Sequence, residues 1–309
     1  PAYTYAVADG LDVEEGQAVA VQFGARRIYT GIVWRIHGRR PDFPRIKTVS
    51  RVLYDRPLLD ARQRALWEWM AGYAAEHGLG MHVHVSETRS EHESCLQKYG
   101  KTPVALLDRY GVWVNGGTAA HCVWVSDADM ELMVQRNITA VHNPVSNLKL
   151  ASGAARVPRL LERGVNVALG TDGVASNNSH DLFEEIKLAA LIHKGVGLDP
   201  EAVTAQQALE MATVNGARAL GLDTGVIAPG KTADLILVDF SAPNLFPCHD
   251  VEEDLVYSAR GSNVVMNMAR GRVIYEKGEF FTLDLEKIRA EVEGYALPRI
   301  FGSVRGGGA

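Results

Sequence analysis

Cysteine is scarce in this chain, and its three copies, Cys95, Cys122 and Cys248, lie far apart and form no C-x-x-C pair. An odd, scattered set excludes a disulfide framework and fits a reducing compartment. No uncharged apolar run approaches the roughly 18 residues a membrane helix requires, and nothing has the layout of a signal peptide. These absences predict a soluble, cytoplasmic protein with no membrane partner. The sequence also has no G-x-x-x-x-G-K-[ST] phosphate loop, no G-x-S-x-G nucleophile elbow and no H-x-E paired with P-C-x-x-C. Their absence argues against phosphate-loop nucleotide hydrolysis, elbow-type serine hydrolysis and the cytidine-deaminase kind of zinc site. What is present is ordinary globular material: 309 residues, 47% hydrophobic and 22% charged, enough for one large domain or two modest ones.

Charge divides the chain. Residues 1–73 hold 11 Lys and Arg against 8 Asp and Glu, a net of +3, which leaves 21 against 29, a net of −8, for the rest. The excess is concentrated between Arg26 and Arg64. Such a run is often only a solvated face, but it also suits a polyanion.

The basic end reads as short strands and turns. Tyr3-Thr4-Tyr5-Ala6-Val7, 18–23 and 29–36 are β-branched or aromatic runs separated by Asp9-Gly10, Glu15-Gly16 and Gly24, which predicts a small antiparallel β unit. Pro57 and Asp60 then open a helix over 61–76, in which Leu66, Trp69, Met70 and Tyr73 repeat at helical spacing and predict a core stripe.

The remainder alternates strand and helix. Met81-His82-Val83-His84-Val85 precedes a helical segment over 90–110; Gly116 to His121 precedes a helix over 127–136; Thr139-Ala140-Val141-His142 and a helix over 157–163 lead into Val165 to Gly173. Regular alternation implies a parallel sheet or barrel, whose reactive residues collect at the carboxyl ends of the strands. His84, His121, His142 and Asp172 all fall there. One His at a strand end is ordinarily structural, but four such residues on successive strands point to a site. Glu87, three residues after His84, can set a carboxylate beside the imidazole. His82 shares the face of His84 by period-two alternation and reads as a packed or hydrogen-bonded residue.

Two resemblances follow from these strings. Residues 74–300 resemble the amidohydrolase superfamily, in its branch of 5′-methylthioadenosine/S-adenosylhomocysteine deaminases. The resemblance rests on His82-Val83-His84-Val85-Ser86-Glu87-Thr88, Ala120-His121-Cys122-Val123, His142-Asn143-Pro144-Val145-Ser146-Asn147, Gly170-Thr171-Asp172-Gly173-Val174-Ala175-Ser176-Asn177-Asn178 and 225–235. It implies an α/β fold, part of a (β/α)8 barrel comprising its strands five to eight, followed by a β-sandwich tail. It further implies zinc held by His84 and Asp172 and a purine nucleoside substrate. Glu87 would carry a proton to the purine ring nitrogen, His121 would steady the attacking hydroxide or the developing tetrahedral centre, and Asp172 would take the water's proton. Asn143, Asn147 and Ser176 would shape the loops.

Residues 1–73 resemble the amino-terminal DNA-binding domain of the primosomal replication-restart helicase. The matching residues are Tyr3 to Val7, Gly16 to Val21, Phe23-Gly24, Gly31-Ile32-Val33, Ile46 to Val49 and Pro57-Leu58-Leu59. This resemblance implies a small all-β domain that captures a 3′ DNA end, with Tyr3, Thr4, Gly24 and Lys47 at the nucleotide pocket. Thr4 stands where that family has Asp. The expected organisation is therefore 1–73 as a β DNA-binding-like domain, 74–222 as half of an amidohydrolase barrel, and 223–309 as a β-sandwich remnant with a C-terminal helix. The two resemblances meet in the helix 61–76, which predicts a chimera joined there.

The amidohydrolase pattern includes a strand-one His-x-His, and only His37 and His77 occur before Gly78. A complete barrel takes about 250 residues, so the expected site is incomplete and its activity impaired unless the chain forms a homo-oligomer that pools ligands. The competing expectation is a DNA fork or 3′-end binding module with an inert C-terminal part.

Overall fold

The computed structural model describes residues 4–23, 27–39, 46–53 and 61–302. The chain divides into two compact units, 1–140 with 160–166, and 141–159 with 167–309.

The first unit begins with a three-stranded antiparallel sheet: β1 (Ala18–Phe23), β2 (Arg27–Ile32) and β3 (Val49–Val52), in the order β2-β1-β3. Val19, Val21 and Val49 are its buried centre, with Tyr5, Leu11, Val13, Val33 and Val52 packed around them. The expected strand over 3–7 is, within the described residues, a single parallel bridge between Ala6 and Thr48. The run expected over 29–36 leaves the sheet after Ile32, where Val33 exchanges backbone hydrogen bonds with Gly16 and Gln17 and Glu15 accepts from the Ile36 N–H. Helix α1 (Ala61–Glu76) follows. Its stripe, expected as core, is instead exposed: Trp69 at 61% and Leu66 at 52%. Trp69 is tilted against Tyr73 at 5.2 Å, and Tyr73 stacks on His77, just past the helix end, at 3.9 Å between centroids.

Strand β4 (Met81–Val85) then leads to α2 (Arg89–Tyr99) and α3 (Pro103–Arg109). The sequence suggests one helix over 90–110. It breaks because Gly100 turns left-handed at the end of α2, and Thr102 caps a new start with Pro103 in its first turn. Strand β5 (Gly117–His121) pairs in parallel with β4, setting Met81 opposite Gly117 and Val85 opposite His121. Gly117 is needed there, since its φ of +148° and the nearness of the Met81 backbone leave no room for a Cβ. Helix α4 (Asp127–Gln135), started by a capping box between Ser126 and Asp129, leads to β6 (Ile138–His142).

The chain continues through α5 (Pro144–Lys149), α6 (Val157–Glu162), β7 (Val167–Leu169), α7 (Val174–Asn177) and α8 (Leu182–Gly197). The strand order is β4-β5-β6-β7. Ala140 donates to the Asn166 carbonyl and Gly170 donates to the His142 carbonyl, so both strands advance together, which is the parallel pattern. Buried Ala119, Ala120, Ile138, Ala140, Val167 and Ala168 make these strands apolar on both faces, as a covered parallel sheet requires. Alternation of strand and helix is thus present as expected. The second unit also contains an antiparallel sheet of β8 (Leu235–Val238), β9 (Val264–Ala269), β10 (Arg272–Glu276) and β11 (Glu279–Phe280), followed by short helices through residue 301. Among the described residues, no helix is long and apolar enough to cross a membrane.

Candidate active site

In the first unit the reactive residues cluster where β4 and β5 end. Period-two alternation puts His82 and His84 on one face, their rings 6.1 Å apart, and the His84 ring lies 5.2 Å from that of His121. His84 is exposed whereas His121 is 2% exposed. The Glu87 carboxylate stands 3.8 Å from His121 Nε2. His82 shares a hydrogen bond between Nδ1 and Thr118 Oγ1 at 2.6 Å, and burial, reinforced by His84 and His121, pushes its pKa down. His82 is exposed rather than packed, and of the two expectations the hydrogen-bonded one holds.

The backbone turns sharply here. Ser86, His121 and Cys122 have φ of 49°, 70° and 49°, in the left-handed region that side chains other than glycine seldom occupy. Such conformations persist only when neighbours hold them. After β4 the holder is Glu91, whose two carboxylate oxygens accept the N–H groups of Ser86 at 2.9 Å and Glu87 at 2.8 Å. After β5, Cys122 N–H reaches the Val85 carbonyl at 3.1 Å and Trp124 N–H reaches Ser86 O at 3.0 Å.

In the second unit the centre is Asp172, three residues beyond β7 and again left-handed, with φ of 59°. Ser146 Oγ donates to its Oδ2 at 2.6 Å, and Gly173 N–H donates to its Oδ1 at 2.7 Å. Asn177, 6% exposed, donates from Nδ2 to the Thr171 carbonyl at 2.6 Å and to Glu185 Oε1 at 2.5 Å, while its Oδ1 accepts from Ser179 N–H. Glu185 Oε2 accepts the Val145 N–H at 3.2 Å. Burial pushes the Glu185 pKa up, and its hydrogen bonds from Val145 and Asn177 draw it back. His142 ends β6 and meets His193 of α8 through the two Nε2 atoms at 3.3 Å, both rings being buried. One nitrogen must donate and the other accept, so the accepting imidazole is neutral. Burial lowers the His193 pKa to about 4.

Asn143 and Asn147 are also buried; the Asn143 side chain lies against Gly170, and the Asn147 carbonyl accepts the N–H of Ser152. Ser176 donates its N–H to Gly173 O in the turn after Asp172. Of the expected DNA-pocket residues, Tyr3 and Gly24 lie outside the described residues. Thr4 and Lys47 are exposed, and the backbone brings their segments together through Ala6 N–H to Lys47 O at 2.9 Å. Glu91, Ser146, Asn177, Glu185 and His193 are the supports that sequence reasoning passed over. For two of them a signal exists: Glu185 and His193 share the buried face of α8 with Ala189, at four-residue steps where apolar residues belong.

Parallel strands ending in imidazoles and carboxylates define the class. The chain belongs to the amidohydrolase family, whose model matches residues 62–274. A second model, the 3′DNA-binding domain (3′BD), matches residues 1–84. A 5′-deoxyadenosine deaminase of Methanosarcina acetivorans is 51% identical over 218 residues, 71% of this chain and 50% of that protein. A 5-methylthioadenosine/S-adenosylhomocysteine deaminase of Dictyoglomus thermophilum is 49% identical over 228 residues, 74% of this chain and 54% of that protein. Among solved structures, an adenosine deaminase from Xanthomonas campestris with bound zinc superposes with a TM-score of 0.70 at 36% identity, covering 75% of this chain and 53% of that one. The chain thus spans about half the length of the relatives it matches.

Proposed function

We propose that residues 74–222 are strands five to eight of an amidohydrolase barrel, that 223–309 are its β-sandwich remnant, and that the site serves hydrolytic deamination of an adenine nucleoside. The relatives' names support the substrate class. The observation that carries the proposal is the cluster of His84, Glu87 and His121 at the ends of β4 and β5, where rings 5.2 Å apart face a carboxylate 3.8 Å from one of them.

His84 and His121, side by side in the first unit, and Asp172 in the second offer imidazole and carboxylate donors, the chemistry that a divalent ion takes. Catalytic zinc sites take three protein ligands of these kinds, so the proposal adds His121 to His84 and Asp172. When bound, the ion supplies the Lewis acidity that makes water a nucleophile near neutral pH. The chain's residues move the protons. Asp172, its carboxylate fixed by Ser146 and Gly173, accepts a proton from water as the oxygen bonds to the purine carbon bearing the amino group. Glu87 delivers a proton to the adjacent ring nitrogen. The proton held by Asp172 then passes to the amino group, the carbon–nitrogen bond breaks and ammonia leaves, while the hydroxyl proton returns to Glu87 and a ring carbonyl remains. His121 orients the attacking oxygen. The absence of a strand-one His-x-His before residue 78 predicts weak metal binding and low turnover in one chain; two copies sharing ligands would restore both.

Zinc per chain after a chelator wash tests the proposal. About one ion taken up by the washed wild-type protein when zinc is resupplied, and none by His84→Ala, together with slow conversion of adenine to hypoxanthine absorbance on 5′-deoxyadenosine or methylthioadenosine, is the expected result. A chelator-washed protein without zinc, equally inert with and without added metal, sinks it.

The match over residues 1–84 favours a second activity. We infer that residues 1–73, with net charge +3, bind a DNA 3′ end through Tyr3, Thr4, Gly24 and Lys47. Lys47→Ala should weaken forked-DNA binding and make its salt dependence shallower, because one phosphate contact is lost. Unchanged affinity and slope in a fluorescence titration would remove Lys47 from the interface.

A further inference from the structure

Glu185 presents a chemical anomaly within the second unit. It lies on the face of α8 formed by Phe183, Ile186, Ala189 and Ala190, and is 1% exposed. Taking a carboxylate out of water is costly, and a leucine or methionine would pack on that face without the cost. What the carboxylate does there is read from its two oxygens. Oε1 accepts from Asn177 Nδ2 at 2.5 Å, and the same amide donates to the carbonyl of Thr171, the residue before Asp172, at 2.6 Å. Oε2 accepts from the N–H of Val145 at 3.2 Å, and the next residue, Ser146, donates to Asp172 Oδ2 at 2.6 Å. One oxygen therefore fixes the backbone that carries Asp172, and the other fixes the segment that supplies its side-chain donor. Asp172 needs such restraint, because its φ of 59° is one that a non-glycine residue keeps only when its surroundings impose it.

We propose that Glu185 is a positioning residue for the reaction, a buried clamp that joins the 171–177 loop to the start of α5 so that the Asp172 carboxylate is held in one orientation for metal binding and proton transfer. The proposal rests on the assignment of Asp172 to the metal site. Asn177 is the clamp's second member. Its orientation is fixed from both ends, Nδ2 toward Thr171 and Glu185 and Oδ1 toward Ser179 N–H. It therefore has no free rotation with which to accommodate an amide at position 185. Glutamine there keeps the shape and volume of the side chain, yet it must turn an NH2 toward either Val145 N–H or the Asn177 amide, donor against donor.

The test uses the full chain as wild type, Glu185→Gln, Asn177→Ala and Asp172→Ala. It reads zinc affinity by chelator competition, the visible spectrum of the cobalt(II)-loaded protein, hydrogen exchange over 171–178 in metal-free protein, and thermal unfolding. Cooperative unfolding in Glu185→Gln, with zinc affinity lowered about 10- to 100-fold as for other residues that orient a metal ligand, an altered cobalt spectrum and faster exchange over 171–178, is the expected result. Asn177→Ala should repeat it, and supplies the answer if Glu185→Gln does not fold. A folded variant of either kind with wild-type zinc affinity, spectrum and exchange overturns the proposal, as does a lowered unfolding temperature with affinity and spectrum unmoved. Wild-type protein that binds no zinc, or binds it as well after Asp172→Ala, refutes the metal assignment instead. Exchange over 171–178 then still decides the clamp, faster exchange in Glu185→Gln retaining it and equal exchange removing it.

Discussion

The loop after β4 and the loop after β7 solve one problem with the same kind of residue in opposite surroundings. Each carries a reactive carboxylate, Glu87 or Asp172, next to or at a left-handed backbone position, and each is held by a second glutamate that accepts two hydrogen bonds. Glu91 does so from the first turn of α2, exposed and bonded to residues four and five positions earlier. Glu185 does so at 1% exposure, bonded to residues 8 and 40 positions away. Water can replace the lost acceptor of the Glu87 N–H in the first case and has no room to do so in the second. The difference is one of consequence: an exposed clamp aims a local turn, whereas a buried one ties separate segments of the chain together.

The largest effect that separates the two belongs to Glu185→Ala. It leaves the Val145 N–H without its acceptor and opens a cavity beside Asn177. Together these should cost about 4 kcal/mol, from an unsatisfied buried donor and lost packing. Urea unfolding measures it, and a loss below about 1 kcal/mol would mean that the site is wet and the contrast false.

The histidines sharpen the same contrast by pH. In the first unit His82 and His84 stand at least partly in solvent, whereas in the second His193 is 4% exposed with its pKa lowered to about 4. Between that value and the ordinary 6.5, the unfolded chain holds a proton on His193 that the folded chain does not. Stability from this residue is therefore complete above pH 6.5 and is lost as pH falls toward 4. The loss amounts to up to about 3 kcal/mol. Glu185, with its raised pKa, acts in the opposite direction. The useful measurement is the difference between wild type and His193→Leu unfolding across pH 4 to 7, which should flatten in the variant. Parallel curves would show that His193 charges without cost.

How far the sequence discloses this follows from the range of each interaction. Strand ends and their residues were legible because period-two runs and strand–helix alternation are local: β4 spans the expected Met81 to Val85, and His121 and His142 close their strands. The break between α2 and α3 was equally local but subtler, resting on Gly100, Thr102 and Pro103 acting in concert. The exposure of Trp69 and Leu66 could not be read from spacing, because a helical stripe states which residues share a face and not what covers them. Long-range support was the least visible. Glu185 bonds to Val145 across 40 residues and His193 to His142 across 51. Nothing in either neighbourhood marks the partner, although a Glu and a His spaced eight apart on an apolar face do mark an exception to the helix pattern.

The smallest expected effect is the most discriminating, because it separates position from stability. Glu91→Ala removes a carboxylate that shares the helix start with the Thr88 cap, and Thr88 still accepts the residue 91 N–H in the variant. The Ser86 side chain also keeps its hydrogen bond with His92. The N–H of Glu87 can turn to water, while that of Ser86, a fully buried residue, is the one with something to lose. The cost in unfolding should therefore be about 1 kcal/mol, the scale of losing charged acceptors at a helix N-terminus. If Glu91 aims Glu87 toward His121, the change should appear instead in turnover, as a lower kcat with KM little altered, because proton delivery is needed only in the transition state. Restoring one acceptor with Glu91→Gln should recover part of that rate. A Glu91→Ala protein that unfolds like the wild type and turns over at the same rate would show that the β4 loop keeps its shape from Ser86, His92 and Thr88 alone, and that only the buried glutamate is a clamp.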